Sequence, residues 1–267
     1  MADLENTNGM TDRRLTNVYL TVAYDGTAYH GSALQAGEPQ TIEAYLNRAI
    51  VGATGKDTPV IGASRTDAGV HARGAVYVFA TASPIPADRF LYVLNRLLPD
   101  DIRVVESHEV PLDFHPRRCT ARKTYSYRIL NTPQPDPTRR LYTWHVSRPL
   151  DDAAMRAAAI PLIGEHDFSS FCNVDSTALS HVRRIDALDV TRTEDGEVIE
   201  IRITGNGFLY NMVRIISGTL VQIGWGWRAP SEMGAILAAE SRSAAGCTAP
   251  PQGLTLVGYQ WGEKETS

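Results

Sequence analysis

Three cysteines in 267 residues, Cys119, Cys172 and Cys247, are too few and too widely spaced for a disulfide framework or a paired Cys-x-x-Cys metal site. Each reads as a small buried hydrophobe, and a reducing compartment suits the set. Long hydrophobic runs are also missing: the most apolar stretch, Met212 to Ile223, is interrupted by Arg214 and Gly218 and falls short of a membrane span. The first fourteen residues have no apolar core of the kind a secretory signal needs, so they read as a disordered tail on a soluble, cytoplasmic protein. Glycine-rich phosphate loops and His/Cys clusters are absent, so no cofactor and no metal is expected. An excess of positive charge is lacking too. A net charge of −4 argues, as an average, against a nucleic acid partner, because phosphate binding needs clustered Lys and Arg.

The average conceals a basic stretch. Between His115 and Arg148 stand Arg117, Arg118, Arg122, Lys123, Arg128, Arg139, Arg140 and Arg148 against the single acid Asp136. Such a run is either a solvated face or a surface for a polyanion. Acids elsewhere balance it.

The hydrophobic pattern predicts an α+β protein. Val18, Leu20, Val22 and Tyr24 alternate as a strand ending at the turn Asp25-Gly26, and Ile42, Tyr45, Leu46, Ala49 and Ile50 recur at helical spacing behind a capping Thr41. Strands follow around Val60 and from Ala75 to Phe79, then a helix from Phe90 to Leu98 and a strand from Ile102 to Glu106. That order is the ferredoxin-like signature. The second half repeats it loosely, with strands at 123–130, 185–190, 198–204 and 254–260 and helices near 153–159, 212–223 and 231–239. We therefore expect two ferredoxin-like halves, 15–112 and 113–267, forming a mixed, mainly antiparallel sheet with helices packed on it and a central cleft. Residues 1–14 form the tail.

The most informative run is Gly62 to Ala72, a polar loop between two strands. Within it, Asp67-Ala68-Gly69 suits a tight turn in which glycine adopts positive φ and the carboxylate projects into a cleft. By itself that pattern reads first as a loop aspartate bonding its own backbone. Arg65, two residues earlier, is placed to keep the carboxylate ionised.

The stretch Arg65-Thr66-Asp67-Ala68-Gly69-Val70-His71-Ala72 resembles the catalytic motif of the TruA-type tRNA pseudouridine synthases. Further matches lie in order along the chain: Tyr24-Asp25-Gly26, Leu98-Pro99-Asp100-Asp101-Ile102, Asp113-Phe114-His115-Pro116-Arg117, Lys123-x-Tyr125-x-Tyr127, Gly164 to Phe171, Phe208 to Arg214 and Gly253-Leu254-x-Leu256-Val257. The resemblance covers nearly everything from Thr16 to Trp261. It implies an isomerase that converts uridine to pseudouridine at nucleotides 38, 39 and 40 of the tRNA anticodon arm, acting as a homodimer. It places the catalytic role on Asp67, supported by Arg65, which helps displace the target base, and Arg214, which pairs with the aspartate. Tyr125 is the active-site tyrosine expected to stack on uracil. Arg117, Arg122, Lys123 and His71 are assigned to substrate binding, with His71 and His115 structural or close to phosphate rather than general acids. Tyr127 reads as core.

One departure stands out. After Gly31 the family usually has Trp-Gln-x-Gln, whereas this chain has Ser32-Ala33-Leu34-Gln35. Ser32→Trp then tests for a gain of efficiency. Two other readings are an inert tRNA-binding or chaperone relative and a carboxylate-nucleophile enzyme acting on a small nucleoside or glycoside.

Overall fold

A computed structural model describes residues 14–193 and 195–262. Most of the expected tail, residues 1–13, lies outside the described residues; Arg14 meets Glu109 at 3.3 Å. The first portion runs β1 (Thr16–Tyr24), α1 (Ile42–Thr54), β2 (Ile61–Gly62), β3 (His71–Thr81), α2 (Phe90–Leu94) and β4 (Ile102–Val110). The second runs β5 (Ala121–Leu130), β6 (Trp144–His145), α3 (Asp152–Ala159), β7 (Gly164–Asp167), β8 (Val182–Arg192), β9 (Val198–Gly205), α4 (Met212–Gly224), α5 (Glu232–Ala238) and β10 (Leu254–Trp261). All ten strands join one sheet, in the order β4-β1-β3-β10-β5-β9-β8-β7, with β2 on β3 and β6 on β5. The pairs are antiparallel except β3 with β10 and β5 with β6. The fold is α+β, as the pattern predicts.

Alternation along the strands divides the two faces of the sheet. Val18, Leu20 and Val22 join Ile199, Ile201, Ile203, Tyr125, Tyr127 and residues of all five helices in one continuous apolar cluster. Tyr19, Val76 and Val78 point the other way and form a smaller cluster with Phe114 and Trp261. Helix α1 begins where Thr41, in extended conformation, accepts the Ala44 N–H at 3.3 Å, and it ends on Gly55 at φ +70°. A cap of this kind contributes about 1 kcal/mol.

Two expectations are corrected by side-chain bonds to backbone. Helix α2 stops at Leu94 instead of Leu98, because Asn95 turns onto β4: its Nδ2 donates to Val104 O and its Oδ1 accepts Val104 N–H, both at 2.8 Å. The strand expected around Val60 shrinks to two residues, since Val60 N–H is taken by Asn47 Oδ1 at 2.9 Å. The buried reading of the cysteines holds for Cys172, while Cys247 is exposed. No helix among the described residues is long and apolar enough to cross a membrane.

The shortness of β2 has a consequence for the site. It occupies the edge of β3 only at Tyr77 and Val78, so the other end of that edge, His71 and Ala72, is free to pair with Thr255 and Leu256 of β10. There the two portions of the sheet meet. The loop 63–70, connecting β2 to β3, emerges beside that seam.

Candidate active site

The loop carrying Asp67 is held mainly through its backbone. Ala63 N–H donates to Val76 O at 2.9 Å, Gly69 N–H to Tyr29 O at 3.2 Å, and Val70 N–H to Asp67 O at 3.1 Å. Arg117 Nε clasps Gly62 O at 2.7 Å. Gly69 has φ +76°, the left-handed conformation that the Asp-Ala-Gly pattern requires. The Asp67 side chain, 30% exposed, turns towards a cavity of about 840 Å³ between this loop and the start of α4.

Among the described residues its one ion pair is with Arg214, Nη1 to Oδ2 at 3.2 Å. Arg214 is tightly located: Nη1 also donates to Asn211 Oδ1 at 2.8 Å, and Nε donates to Ala249 O at 2.8 Å. Asn211 precedes α4 in the left-handed region, φ +61°, a conformation asparagine tolerates better than most residues. From there its side chain meets Arg214 instead of capping the helix. Desolvation is the largest influence on Asp67 and raises its pKa above the ordinary aspartate value; the charge and hydrogen bond of Arg214 oppose it without reversing it. The site therefore stores a carboxylate whose ionised form is held by a single cation in a partly dry setting.

An aromatic wall stands opposite. Tyr125 on β5 is 7% exposed and meets Phe208 edge to face at 5.2 Å between centroids. Its phenol pKa is pushed up, chiefly by burial and secondarily by the neighbouring phenol of Tyr24. Tyr259 of β10 bonds Ser64 of the Asp67 loop through their hydroxyls, joining loop and sheet. Lys123 lies 5.9 Å over the Tyr259 ring, its pKa lowered by desolvation and by the charges of Arg183 and Arg117.

Of the residues singled out from sequence, Asp67, Arg65, Arg214, Tyr125, Arg117 and Lys123 line this one cavity. Arg122 and His71 do not. Arg122 points to Asp186 at 2.9 Å, which Arg184 also engages at 2.9 Å. His71 is 4% exposed; its Nδ1 accepts Gly26 N–H at 3.0 Å, so the ring proton sits on Nε2, which donates to Leu141 O at 2.9 Å. With Nδ1 accepting, the 3.2 Å approach to Asp25 is a contact and not an ion pair. Tyr127 is core, its hydroxyl on Pro250 O at 2.8 Å. Sequence reading missed Asn211, Ser64 and Tyr259. Only Asn211 carried a signal, one helical turn before Arg214.

The family model for tRNA pseudouridine synthase matches residues 20–117 and 158–261. The chain is 47% identical over 243 residues to tRNA pseudouridine synthase A of Acetivibrio thermocellus, covering 91% of this chain and 98% of that protein. It is equally similar, over the same spans, to the protein of that name from Thermoanaerobacter sp. strain X514. The namesake from Halalkalibacterium halodurans is 46% identical over 90% of each chain.

Proposed function

Since the chain belongs to the tRNA pseudouridine synthase family, we propose that it isomerises uridine at nucleotides 38, 39 and 40 of the tRNA anticodon arm, with Asp67 as the catalytic carboxylate. The reaction breaks the bond from uracil N1 to ribose C1′, turns the base and joins C5 to C1′; the C5 proton leaves and N1 gains one. Atoms balance without any co-reactant. A carboxylate serves either route to that exchange, by adding to the sugar or base or by taking a ribose proton to give a glycal.

The observation that carries this reading is the Asp67–Arg214 pair on the wall of a cavity large enough for a nucleotide. A pKa raised by burial makes Asp67 a stronger base than an ordinary aspartate, while Arg214 keeps it charged and oriented. Tyr125 and Phe208 offer an aromatic surface for uracil. Arg65, exposed on the loop at the cavity, is assigned to fill the stack as the base is turned out, a step costing a few kcal/mol that contacts to RNA must offset. Arg117, Lys123 and Arg183 supply positive charge for phosphates at the cavity. We assign the activity to a cytoplasmic homodimer in which one tRNA contacts both copies.

The test uses unmodified tRNA transcript carrying tritium at uridine C5. The parent protein releases tritium, and Asp67→Ala releases none while still binding the transcript. Release by both proteins overturns the role of Asp67. Binding without release by either one makes the protein an RNA-binding relative. Mapping the product by sequencing locates the nucleotides, and product elsewhere than 38–40 overturns the positional assignment.

A further inference from the structure

Asp67 is placed by its loop, and the loop is gripped one residue earlier. Ser32 Oγ accepts the Thr66 N–H at 2.8 Å, and Ser32 N–H donates to Thr66 O at 3.0 Å, so a single residue binds both sides of Thr66. Ser32 is 1% exposed and Thr66 7%, which leaves no water to substitute. Tyr24 adds a second tie through its hydroxyl to Thr66 Oγ1 at 2.7 Å.

Ser32 is in turn fixed to a rigid element. Its carbonyl accepts Glu43 N–H at 3.0 Å in the first turn of α1, and Glu43 Oε2 accepts Leu34 N–H at 2.8 Å. Gly31 makes the close approach feasible: it has φ +98°, and a Cβ there would come 3.0 Å from Thr66 O. Thus α1, the 31–34 segment, Thr66 and Asp67 form one chain of contacts from helix to carboxylate.

We infer that Ser32 is a positioning residue for Asp67, its hydroxyl acting as the acceptor that sets the Thr66 peptide and so the reach of the carboxylate towards the ribose. The inference rests on the catalytic reading of Asp67. An indole is a donor only, so the tryptophan usual in the family at this place has no acceptor to offer Thr66. The grip is a feature of the serine.

A residue that merely stabilises the fold changes the melting temperature and leaves turnover per folded enzyme alone. A positioning residue splits kcat from KM, because displacing a reacting group by about an ångström costs up to about 100-fold in rate without touching distant binding contacts. Ser32→Ala is expected to lower kcat about tenfold, with KM for tRNA transcript within about twofold, each measured on enzyme verified as folded by circular dichroism. Tyr77→Phe is the control. The Tyr77 hydroxyl is buried close to Ser32 but makes no bond to Thr66, so its removal disturbs the same packing without releasing Thr66. It should retain parental kcat and KM. Parental kcat in Ser32→Ala, or an equal fall in Tyr77→Phe, overturns the proposal. Should Ser32→Ala not fold, Tyr24→Phe removes only the second tie and should show the same split, about threefold; parental kcat there overturns it equally. Asp67→Ala is measured alongside: activity there sinks the reading of the site and the grip with it. Inactivity there, combined with parental kcat in Ser32→Ala, sinks the grip alone.

Discussion

Two aspartates leave the same end of the β1–β3 pair and meet opposite fates. Asp25 follows Tyr24, which pairs with Ala72, and Asp67 precedes that register by a few residues. Asp25 is saturated: Oδ1 accepts Thr27 N–H at 2.9 Å and Thr27 Oγ1 at 2.6 Å, and Oδ2 accepts the Tyr142 hydroxyl at 2.6 Å. Burial works to raise its pKa, but the bonds from Thr27 and Tyr142 outweigh it and the net shift is downward. The Asp67 carboxylate has one partner among the described residues and a net upward shift. Burial is common to both; what differs is how many donors the fold aims at each carboxylate. A satisfied carboxylate is an anchor, and a half-satisfied one beside a cavity is a reagent.

The largest expected effect comes from disturbing the single partner of Asp67. Lysine keeps the charge of Arg214 but not the planar fork that serves Asn211, Ala249 and Asp67 together, so Arg214→Lys should lower kcat about 100-fold with little change in tRNA affinity. Single-turnover kinetics with saturating enzyme measures it. The mirror experiment is Asp25→Ala. Here folding stability should fall by about 2 kcal/mol, because Thr27 and Tyr142 lose their acceptor, while kcat stays within about threefold. Urea denaturation and initial rates together decide it; a variant that folds like the parent but turns over slowly would place Asp25 in the chemistry.

Acid titration should separate the pair in opposite directions. The folded pKa of Asp25 is depressed, so its contribution to stability is present above the unfolded value, about 3.9, and is lost as pH falls through the folded value. For Asp67 the folded pKa is raised, so any stabilisation it gives belongs to the protonated form, present below the unfolded value and lost as pH rises through the folded one. The stability gap between parent and Asp25→Asn should therefore close on acidification. In rate, log kcat should climb with unit slope and level off at a pH above the ordinary aspartate range, since only ionised Asp67 reacts. A plateau extending down to about pH 4 contradicts the raised pKa.

The contrast also marks what could be read from the chain. Alternation in Ile199, Ile201 and Ile203 and the cap at Thr41 are local signals, and both elements formed as predicted. The ten-stranded order was not legible, because the β3–β10 seam depends on β2 being cut short by Asn47, a contact between residues thirteen apart. The motif around Asp67 and its pairing with Arg214, 147 residues away, were legible only through the resemblance; Asn211 and Ala249, which hold Arg214 in place, were not. The departure at Ser32 shows the same limit. From sequence, Ser32→Trp reads as a restored aromatic; in the fold, Ser32 is 1% exposed, with Tyr24 and Tyr77 also buried. That substitution should cost about 1–3 kcal/mol through overpacking and bring no gain in kcat, as a melting curve and a rate would show.

The smallest effect concerns the basic stretch, where adjacent residues separate as the two aspartates do. Arg122 and Lys123 were both assigned to substrate binding because they share a run of positive charge. On a strand they point to opposite faces. Arg122 is paired with Asp186, whose second oxygen holds Arg184, so two cations share one acid. Lys123 shares the cavity with Arg117 and Arg183, and none of these three forms an ion pair among the described residues. Each unpaired cation close to RNA displaces about one counterion, and a cation already neutralised displaces fewer. Lys123→Ala should therefore weaken tRNA binding several-fold at low salt and reduce the slope of log affinity against log salt by about one. Arg122→Ala should leave the slope unchanged and the affinity within about twofold. Filter binding over a salt series distinguishes them. Equal slopes for the two variants would mean that the RNA path crosses both faces of β5, and that Asp186 gives up its arginine when RNA binds.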